Sequence, residues 1–164
     1  MRYNTINNVQ TIETADAFID AAVNLLQQAS RTVRIRSALL DPSLFDSLVF
    51  NEALSAFARQ SRFSEIHILI DYPNIILQRS GRTLALARRL SDKITFRHYF
   101  DQADEFRDSM MLIDQQGILV KPASAEAKGY FSLSDKIATK EFAEQFQKEW
   151  ELSLLARELR QLAL

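Results

Sequence analysis

The sequence predicts an α/β domain built on a mixed, mostly parallel sheet, with helices on both faces and a β-hairpin late in the chain. Apolar residues alternate along segments 33–40, 65–71 and 94–100, and recur at helical spacing along the intervening segments 44–57 and 84–90. A strand–helix–strand connection of this length gives a right-handed crossover between parallel strands. In addition, Pro42, Pro73 and Pro122 each follow an apolar run, as residues that end strands do.

The bulk composition sets limits on size and setting. The chain has 164 residues, 47% of them hydrophobic, which is enough for one domain spanning residues 1–164. It has no cysteine and two histidines, so we predict neither a metal site nor a bound cofactor. The N-terminus lacks the apolar core of a signal peptide, and no run approaches the ~20 apolar residues needed to cross a bilayer. A bacterial-type cytoplasm without membrane insertion is therefore expected.

The charge balance argues against a nucleic-acid partner. Lys plus Arg total 20 against 21 for Asp plus Glu, a net charge of -1, so no overall field attracts polyanions. The densest basic run is spread around a helical segment without interleaved aromatic residues, which is typical of a solvated helix surface; it consists of Arg79, Arg82, Arg88 and Arg89. Any anion site is expected to be local.

The first half of the chain alternates between helix and strand. Thr14 is a suitable N-cap for a helix with one apolar face, and the following strand, residues 33–40, is stopped by Asp41 and Pro42. Segment 44–57 predicts a second helix with a break near Phe50. Residues 65–71 form the clearest strand in the sequence, ended by Tyr72 and Pro73.

The second half ends in a hairpin and a long helix. A third helix is expected to start near residues 80–81, a third strand spans 94–100, and 101–108 is an acidic loop. Apolar residues 110–113 and 118–120 flank a Gln-Gln-Gly turn, which predicts a hairpin with Asp114 as its turn residue. From Glu141 a helix carries Phe142, Phe146 and Trp150. An apolar stripe at Leu152, Leu155, Leu159 and Leu162 predicts a C-terminal helical extension over residues 152–164.

Candidate ligand contacts lie where strands end. In open α/β sheets ligands bind beyond the carboxyl ends of the strands, which puts Asp71 and Tyr72 on that rim, beside Ser37 and Asp41. His98 lies near the end of its strand and is a candidate contact. His67 lies inside an apolar strand and is expected to be packed.

Residues 106–122 carry a resemblance to a known family. The segment resembles the signature strand of the phospholipase D superfamily, in which a His-x-Lys-x4-Asp motif leads through an apolar strand into a turn. Arg107 stands at the histidine position, Ser109 at the lysine position and Asp114 at the aspartate position. The helix ending in Phe146 and Trp150 is similar to the Phe-x3-Trp ending of the family. Over residues 14–152 the chain resembles one half of such a protein, and also the bacterial domains of unknown function that lack the motif.

The resemblance implies a pocket without the family's chemistry. That chemistry needs an imidazole to attack phosphorus, and a guanidinium such as that of Arg107 stays protonated and has no lone pair to offer. Neither His67 nor His98 has lysine two residues on or aspartate seven residues on, and Lys121-Pro122-Ala123-Ser124 replaces the family's Gly-Ser and Asn. We therefore predict no catalytic residue and loss of phosphodiesterase activity.

These observations leave three hypotheses. The first is an inactive phospholipase D-like domain that binds an anionic small molecule through Arg107, Ser109 and Lys121, or a protein partner through its helices. In the ordinary alternative, Arg107 pairs with a nearby carboxylate at Asp104, Glu105 or Asp108. The second hypothesis is a residual phosphoryl-transfer enzyme that uses His98. The third is a dimerisation module, for which the resemblance implies a homodimer with residues 152–164 as a candidate contact.

Overall fold

A computed structural model describes residues 9–99, 107–124 and 128–157, together with residue 159. Within these residues the chain forms eight strands and six helices. The strands are β1 (Gln10–Ile12), β2 (Thr32–Arg36), β3 (Glu65–Ile70), β4 (Ile94–His98), β5 (Ser109–Ile113), β6 (Gly117–Lys121), β7 (Gly129–Ser132) and β8 (Leu154–Leu155). The helices are α1 (Ala15–Gln28), α2 (Pro42–Phe45), α3 (Leu48–Arg59), α4 (Pro73–Arg79), α5 (Gly81–Arg89) and α6 (Lys136–Leu152).

All eight strands belong to one sheet, in the order β1-β7-β6-β5-β2-β3-β4-β8. The predicted α/β class and the predicted hairpin of β5 and β6 are confirmed. The expectation of a mostly parallel sheet was wrong, because only β2–β3 and β3–β4 pair in parallel among the described strands. Two consecutive strands can pair in parallel only when a long crossover connects them. Among the described neighbouring strands, only β2–β3 and β3–β4 are connected in this way.

Helices cover both faces of the sheet, as predicted. On one face α1, α3 and α5 pack against the main core, whose members include Leu25, Leu54 and Ile68. On the other face α6 lies over the hairpin, where Phe142 packs with Leu112 and other apolar side chains of β5 and β6. The sheet is therefore the middle layer of three, and its two ends are left to loops.

The second helical segment is divided earlier than predicted. The break lies at Asp46 and Ser47 rather than near Phe50, since Ser47 caps α3 and accepts from the Phe50 N–H at 3.2 Å. Asn51 fixes the break by donating to the carbonyls of Phe45 and Ser47, at 2.9 Å each. Pro73 not only ends a strand but also begins α4, a helix that the sequence analysis missed; Pro is favoured at this first helical position.

The expected helical extension over residues 152–164 is interrupted at residues 153–156, whereas Arg157 and Leu159 beyond the interruption are helical. The final helix begins at Lys136, five residues before the predicted start, and ends at Leu152. Ser153 then donates to the Trp150 carbonyl at 2.5 Å, and β8 pairs with the edge of β4. Leu159 of the predicted stripe is buried in the main core, and Leu162 lies outside the described residues. The free edge of β4 thus accepts a strand where the leucine spacing favoured a helix.

Asp114 occupies the predicted hairpin turn, with a positive φ of 51°. Its carboxylate also reaches the start of β2, where it accepts the backbone N–H groups of Ser30 at 2.9 Å, Arg31 at 2.8 Å and Thr32 at 3.0 Å. Asp tolerates the left-handed region better than most residues. Asp114 lies more than 80 residues after these N–H groups in the chain, so the hydrogen bonds anchor the α1–β2 connection to the hairpin.

Replacing Asp114 with alanine is expected to lower the free energy of unfolding by about 2 kcal/mol, because three donors lose a charged acceptor. Asp114→Asn keeps a side chain that tolerates positive φ and one carbonyl acceptor, so its loss should be smaller. Urea unfolding of both variants, with Asp20→Ala on the exposed face of α1 as control, measures the difference. An Asp114→Ala protein as stable as the control would contradict the anchoring role.

Candidate anion-binding site

The loops at one end of the sheet form a small cleft. The parallel strands β2 and β3 end there, and β5 begins and β6 ends beside them because both belong to the adjoining hairpin. This space, here called the rim cleft, has a volume of about 180 Å³. Its lining residues are Ser37, Ala38, Leu39, Asp41, Pro42, Arg79, Arg107, Ser109, Lys121, Pro122 and Ala123.

Three of the six predicted contacts meet in the rim cleft. Arg107, Ser109 and Lys121 all line it, although they come from a loop and from two different strands. Arg79 was read from sequence as part of a solvated helix surface, but the last turn of α4 brings it to the cleft. The lining thus includes three cationic side chains and one carboxylate, that of Asp41.

Lys121 and Asp41 form an ion pair at the mouth of the cleft. The Lys121 Nζ lies 2.5 Å from the Asp41 Oδ2 and 5.4 Å from the centre of the Phe18 ring. Burial acts to raise the pKa of Asp41, but its hydrogen bonds to Lys121 and Ser43 outweigh burial and leave the pKa below its ordinary value. Lys121 is therefore partly neutralised before any ligand arrives.

The floor of the cleft carries a pair of hydroxyl groups. The Oγ atoms of Ser37 and Ser109 lie 2.8 Å apart, where β2 and β5 run side by side. Arg79 also lines the cleft, is exposed, and forms no ion pair with any residue that the structure describes. Hydroxyl donors and an available guanidinium are groups that recognise phosphate oxygens.

Behind the cleft lies a buried ion network centred on Arg36 of β2, which is 3% exposed. The Arg36 Nη2 lies 2.6 Å from Asp71 Oδ1, and its Nε lies 2.7 Å from Glu149 Oε1 on α6. The Arg36 Nη1 also donates to the Leu69 carbonyl at 3.2 Å. Asp71 is expected on the rim from the sequence, but nothing in the sequence relates it to Arg36 or relates Arg36 to Glu149.

Arg107 connects this network to the cleft. Its Nε lies 3.8 Å from Asp71 Oδ2, and its Nη1 lies 3.4 Å from both carboxylate oxygens of Glu149. Of the nearby carboxylates considered as partners, Asp104 and Glu105 lie outside the described residues, and Asp108 accepts the Ala123 N–H at 3.1 Å. The guanidinium of Arg107 therefore faces two buried carboxylates while it lines the cleft.

Burial dominates the protonation of Asp71. It raises the pKa of this carboxyl group above its ordinary value, and the negative charge of Glu149 acts in the same direction. Arg36 and Arg107 oppose that shift without cancelling it. Asp71 is thus a component of the network and does not line the cleft.

The other predicted contacts lie apart from the cleft. His98 ends β4, three strands from β5 in the sheet, which separates their backbones by about 14 Å. Tyr72 donates its backbone N–H to the Ala38 carbonyl at 3.2 Å but does not line the cleft. His67 is packed, with its ring stacked 4.4 Å from that of Trp150, and burial lowers its pKa despite the opposing charge of Glu65.

Within the part of the chain that the structure describes, no group of three or more histidine, cysteine, aspartate or glutamate side chains is arranged to hold a metal ion. None of the described helices combines the length and the apolar character needed to cross a membrane.

Comparison with protein families gives one match, to a family described as "Domain of unknown function (DUF7931)", over residues 14–162. No curated protein matches this sequence. The match covers most of the chain, including every residue of the rim cleft and of the ion network.

Solved structures show what the fold is similar to. Nuc, a phospholipase D family member from Salmonella typhimurium, gives a TM-score of 0.64 at 15% identity, over 89% of this chain and 95% of Nuc. NucT from Helicobacter pylori gives a TM-score of 0.58 at 12% identity, over 90% of this chain and 97% of NucT. TrmBL2, an archaeal chromatin protein whose structure shows a novel mode of DNA binding, gives 0.66 at 13% identity over 90% of this chain. The chain spans about half of TrmBL2, 54% of its length. The fold is phospholipase D-like.

Arg36→Met is expected to lower the free energy of unfolding by about 3–5 kcal/mol, because two buried carboxylates then share only Arg107. Adding Glu149→Gln removes one of those charges and should recover part of the loss. Chemical unfolding of the single and double variants forms a mutant cycle that measures the coupling. Additive losses would show that Arg36 and Glu149 do not act together.

The raised pKa of Asp71 predicts the sign of a pH effect. A carboxyl group with a raised folded-state pKa binds more protons in the native state, so its contribution to stability falls as pH rises from about 4 through that pKa. The stability of the wild type relative to Asp71→Asn should therefore decrease between about pH 4 and about pH 7. Unfolding curves across this range test the sign, and a relative stability that increases with pH would contradict it.

Proposed function

The chain belongs to the DUF7931 family, and we propose that it is a binding domain that holds a phosphate-like anion in the rim cleft without hydrolysing it. The observation that carries this proposal is the convergence of Arg79, Arg107 and Lys121 on one cleft whose floor is the Ser37–Ser109 hydroxyl pair. Guanidinium, ammonium and hydroxyl groups together match the geometry and charge of a tetrahedral oxyanion.

The charges around the cleft favour an anion as the ligand. Asp41 offsets Lys121, while the carboxylates that face Arg107 belong to the buried network behind the cleft. Arg79 remains available at the wall, so a bound anion would meet one open guanidinium in addition to the two paired cations. Because the cleft is small and local, the overall net charge of -1 does not oppose such binding.

The composition of the cleft supports binding rather than hydrolysis. Attack on a phosphodiester by the route that the phospholipase D resemblance implies needs an imidazole in contact with phosphorus, and neither His67 nor His98 lines the cleft. The available hydroxyl groups, those of Ser37 and Ser109, hydrogen-bond to each other. A serine hydroxyl without an adjacent base is a weak nucleophile.

The test measures the melting temperature of the wild type in phosphate and in sulfate against chloride of equal ionic strength. Phosphate and sulfate should raise it, because a ligand that binds only the native state adds stability by mass action. Arg79→Gln and Ser109→Ala should each reduce the increase, and Arg107→Ala should abolish it. Arg59→Gln, which removes an exposed arginine outside the rim cleft, should leave it unchanged and so controls for general salt effects.

Arg107→Ala also removes a positive charge that faces the buried carboxylates, and this variant could fail to fold for that reason. In that case the less disruptive Arg79→Gln variant tests whether the rim cleft binds the anion. An equal increase in wild type and Arg79→Gln would overturn the proposed site. Turnover is assayed separately with bis(4-nitrophenyl) phosphate, for which no hydrolysis is expected. Hydrolysis that disappears in His98→Ala would overturn the non-catalytic proposal and support a residual phosphoryl-transfer enzyme.

A further inference from the structure

A second cleft lies at the opposite end of the sheet from the rim cleft. It is formed where β2 begins, beside the β5–β6 turn and the first residue of α6. This space, here called the amino-edge cleft, has a volume of about 570 Å³. Its lining residues are Ser30, Arg31, Thr32, Arg34, Asp114, Gln115, Gln116 and Lys136.

The positive charges of this cleft are less compensated than those of the rim cleft. Arg31, Arg34 and Lys136 line it, and none of the three forms an ion pair with any part of the chain that the structure describes. The one carboxylate in the lining, that of Asp114, already accepts three backbone N–H groups. The amino-edge cleft therefore presents three available cations and two uncharged glutamine side chains.

An aromatic platform adjoins these cations. The Arg31 guanidinium lies 5.2 Å from the centre of the Phe63 ring, and that of Arg62 lies 4.7 Å from the same ring. Phe63 is 52% exposed, which is unusual for a large apolar side chain. Because Arg31 both lines the cleft and contacts the ring, the platform of Arg31, Arg62 and Phe63 is continuous with the cleft.

The surroundings leave this surface predominantly positive. Glu65 stands opposite Thr32 in the β2–β3 register, and its carboxylate lies 3.8 Å from the Nε2 of His67. Because Ile66 stands opposite Ile94, Asp92 and Lys93 also lie at this edge, where the carboxylates of Glu65 and Asp92 are outnumbered by the cations of the cleft and of the platform. Clustered guanidinium groups interleaved with an exposed ring are typical of surfaces that bind phosphates and stack bases.

We propose that the amino-edge cleft and its platform bind single-stranded nucleic acid. Arg34 and Lys136 would contact successive phosphates, while a base would stack on the exposed group that Phe63 forms with the Arg31 and Arg62 guanidinium groups lying over its ring. Gln115 and Gln116 offer amide groups to base edges. Stacking requires an unpaired base, and the cations are confined to one cleft and its adjoining platform, which favours a single strand over a duplex. The site is separate from the rim cleft and does not rest on the function proposed there.

The test uses fluorescence anisotropy with a labelled oligothymidine of about 12 nucleotides, within the range of single-strand site sizes. We expect binding that weakens steeply with salt. Phe63→Ala should weaken it about tenfold through the lost stacking. Combining Arg34→Gln with Lys136→Gln should weaken it further and lower the magnitude of the log–log salt slope by about 1.4, because each phosphate contact on a single strand contributes about 0.7.

Three control variants make the result specific to this surface. Arg59→Gln and Arg89→Gln remove exposed arginines from the groove between α3 and α5, and should leave oligonucleotide affinity unchanged. Arg79→Gln should also leave it unchanged, while reducing the phosphate response of the rim cleft. Equal affinity of wild type and Phe63→Ala, an unchanged salt slope in the double variant, or tighter binding to the duplex than to the single strand would each overturn the proposal.

Discussion

The contact on which the structure most depends is the pairing of Arg36 with Asp71 and Glu149. Removing these charges from water is costly, and close pairing with opposite charges offsets that cost only when the geometry is good. Arg36 and Glu149 are 113 residues apart, so their hydrogen bond of 2.7 Å joins the parallel strands to the last long helix. The two carboxylates also face Arg107, which places its guanidinium beside the rim cleft. The fold and the candidate site thus share one electrostatic constraint.

The central strand β2 is fixed by charged contacts at both of its ends. At its start, the Asp114 carboxylate accepts three N–H groups, and at its end Arg36 meets the buried carboxylates. Apolar residues between these points, such as Val33 and Ile35, are fully buried. The polar contacts therefore reinforce the position of a strand whose register its burial and its pairing on both edges already specify. Each candidate binding surface lies next to one of these contacts.

The parts of the fold predicted correctly from sequence have strong internal patterns. The capped helix after Thr14, the apolar strand β3 and the hairpin with its turn each contain enough residues to reveal a period. Strands β1 and β8 have three and two residues, too few to show alternation, and they form because a neighbouring strand offers unpaired backbone groups. The leucine spacing after Trp150 did not reveal the interruption at residues 153–156 for the same reason, since tertiary pairing with β4 prevails over helical periodicity there, while Arg157 and Leu159 are helical.

The candidate sites were predictable only where sequence neighbours or a family resemblance brought residues together. Arg107, Ser109 and Lys121 followed from the resemblance around the hairpin, and the structure places them on one cleft. Arg79 was missed because its helix was missed, and Arg36 resembled an ordinary polar residue in an alternating strand. The amino-edge cations come from three separate segments of the chain, and a net charge near zero conceals how they are grouped. Summed charge describes long-range attraction, whereas binding at a cleft depends on which charges lack partners there.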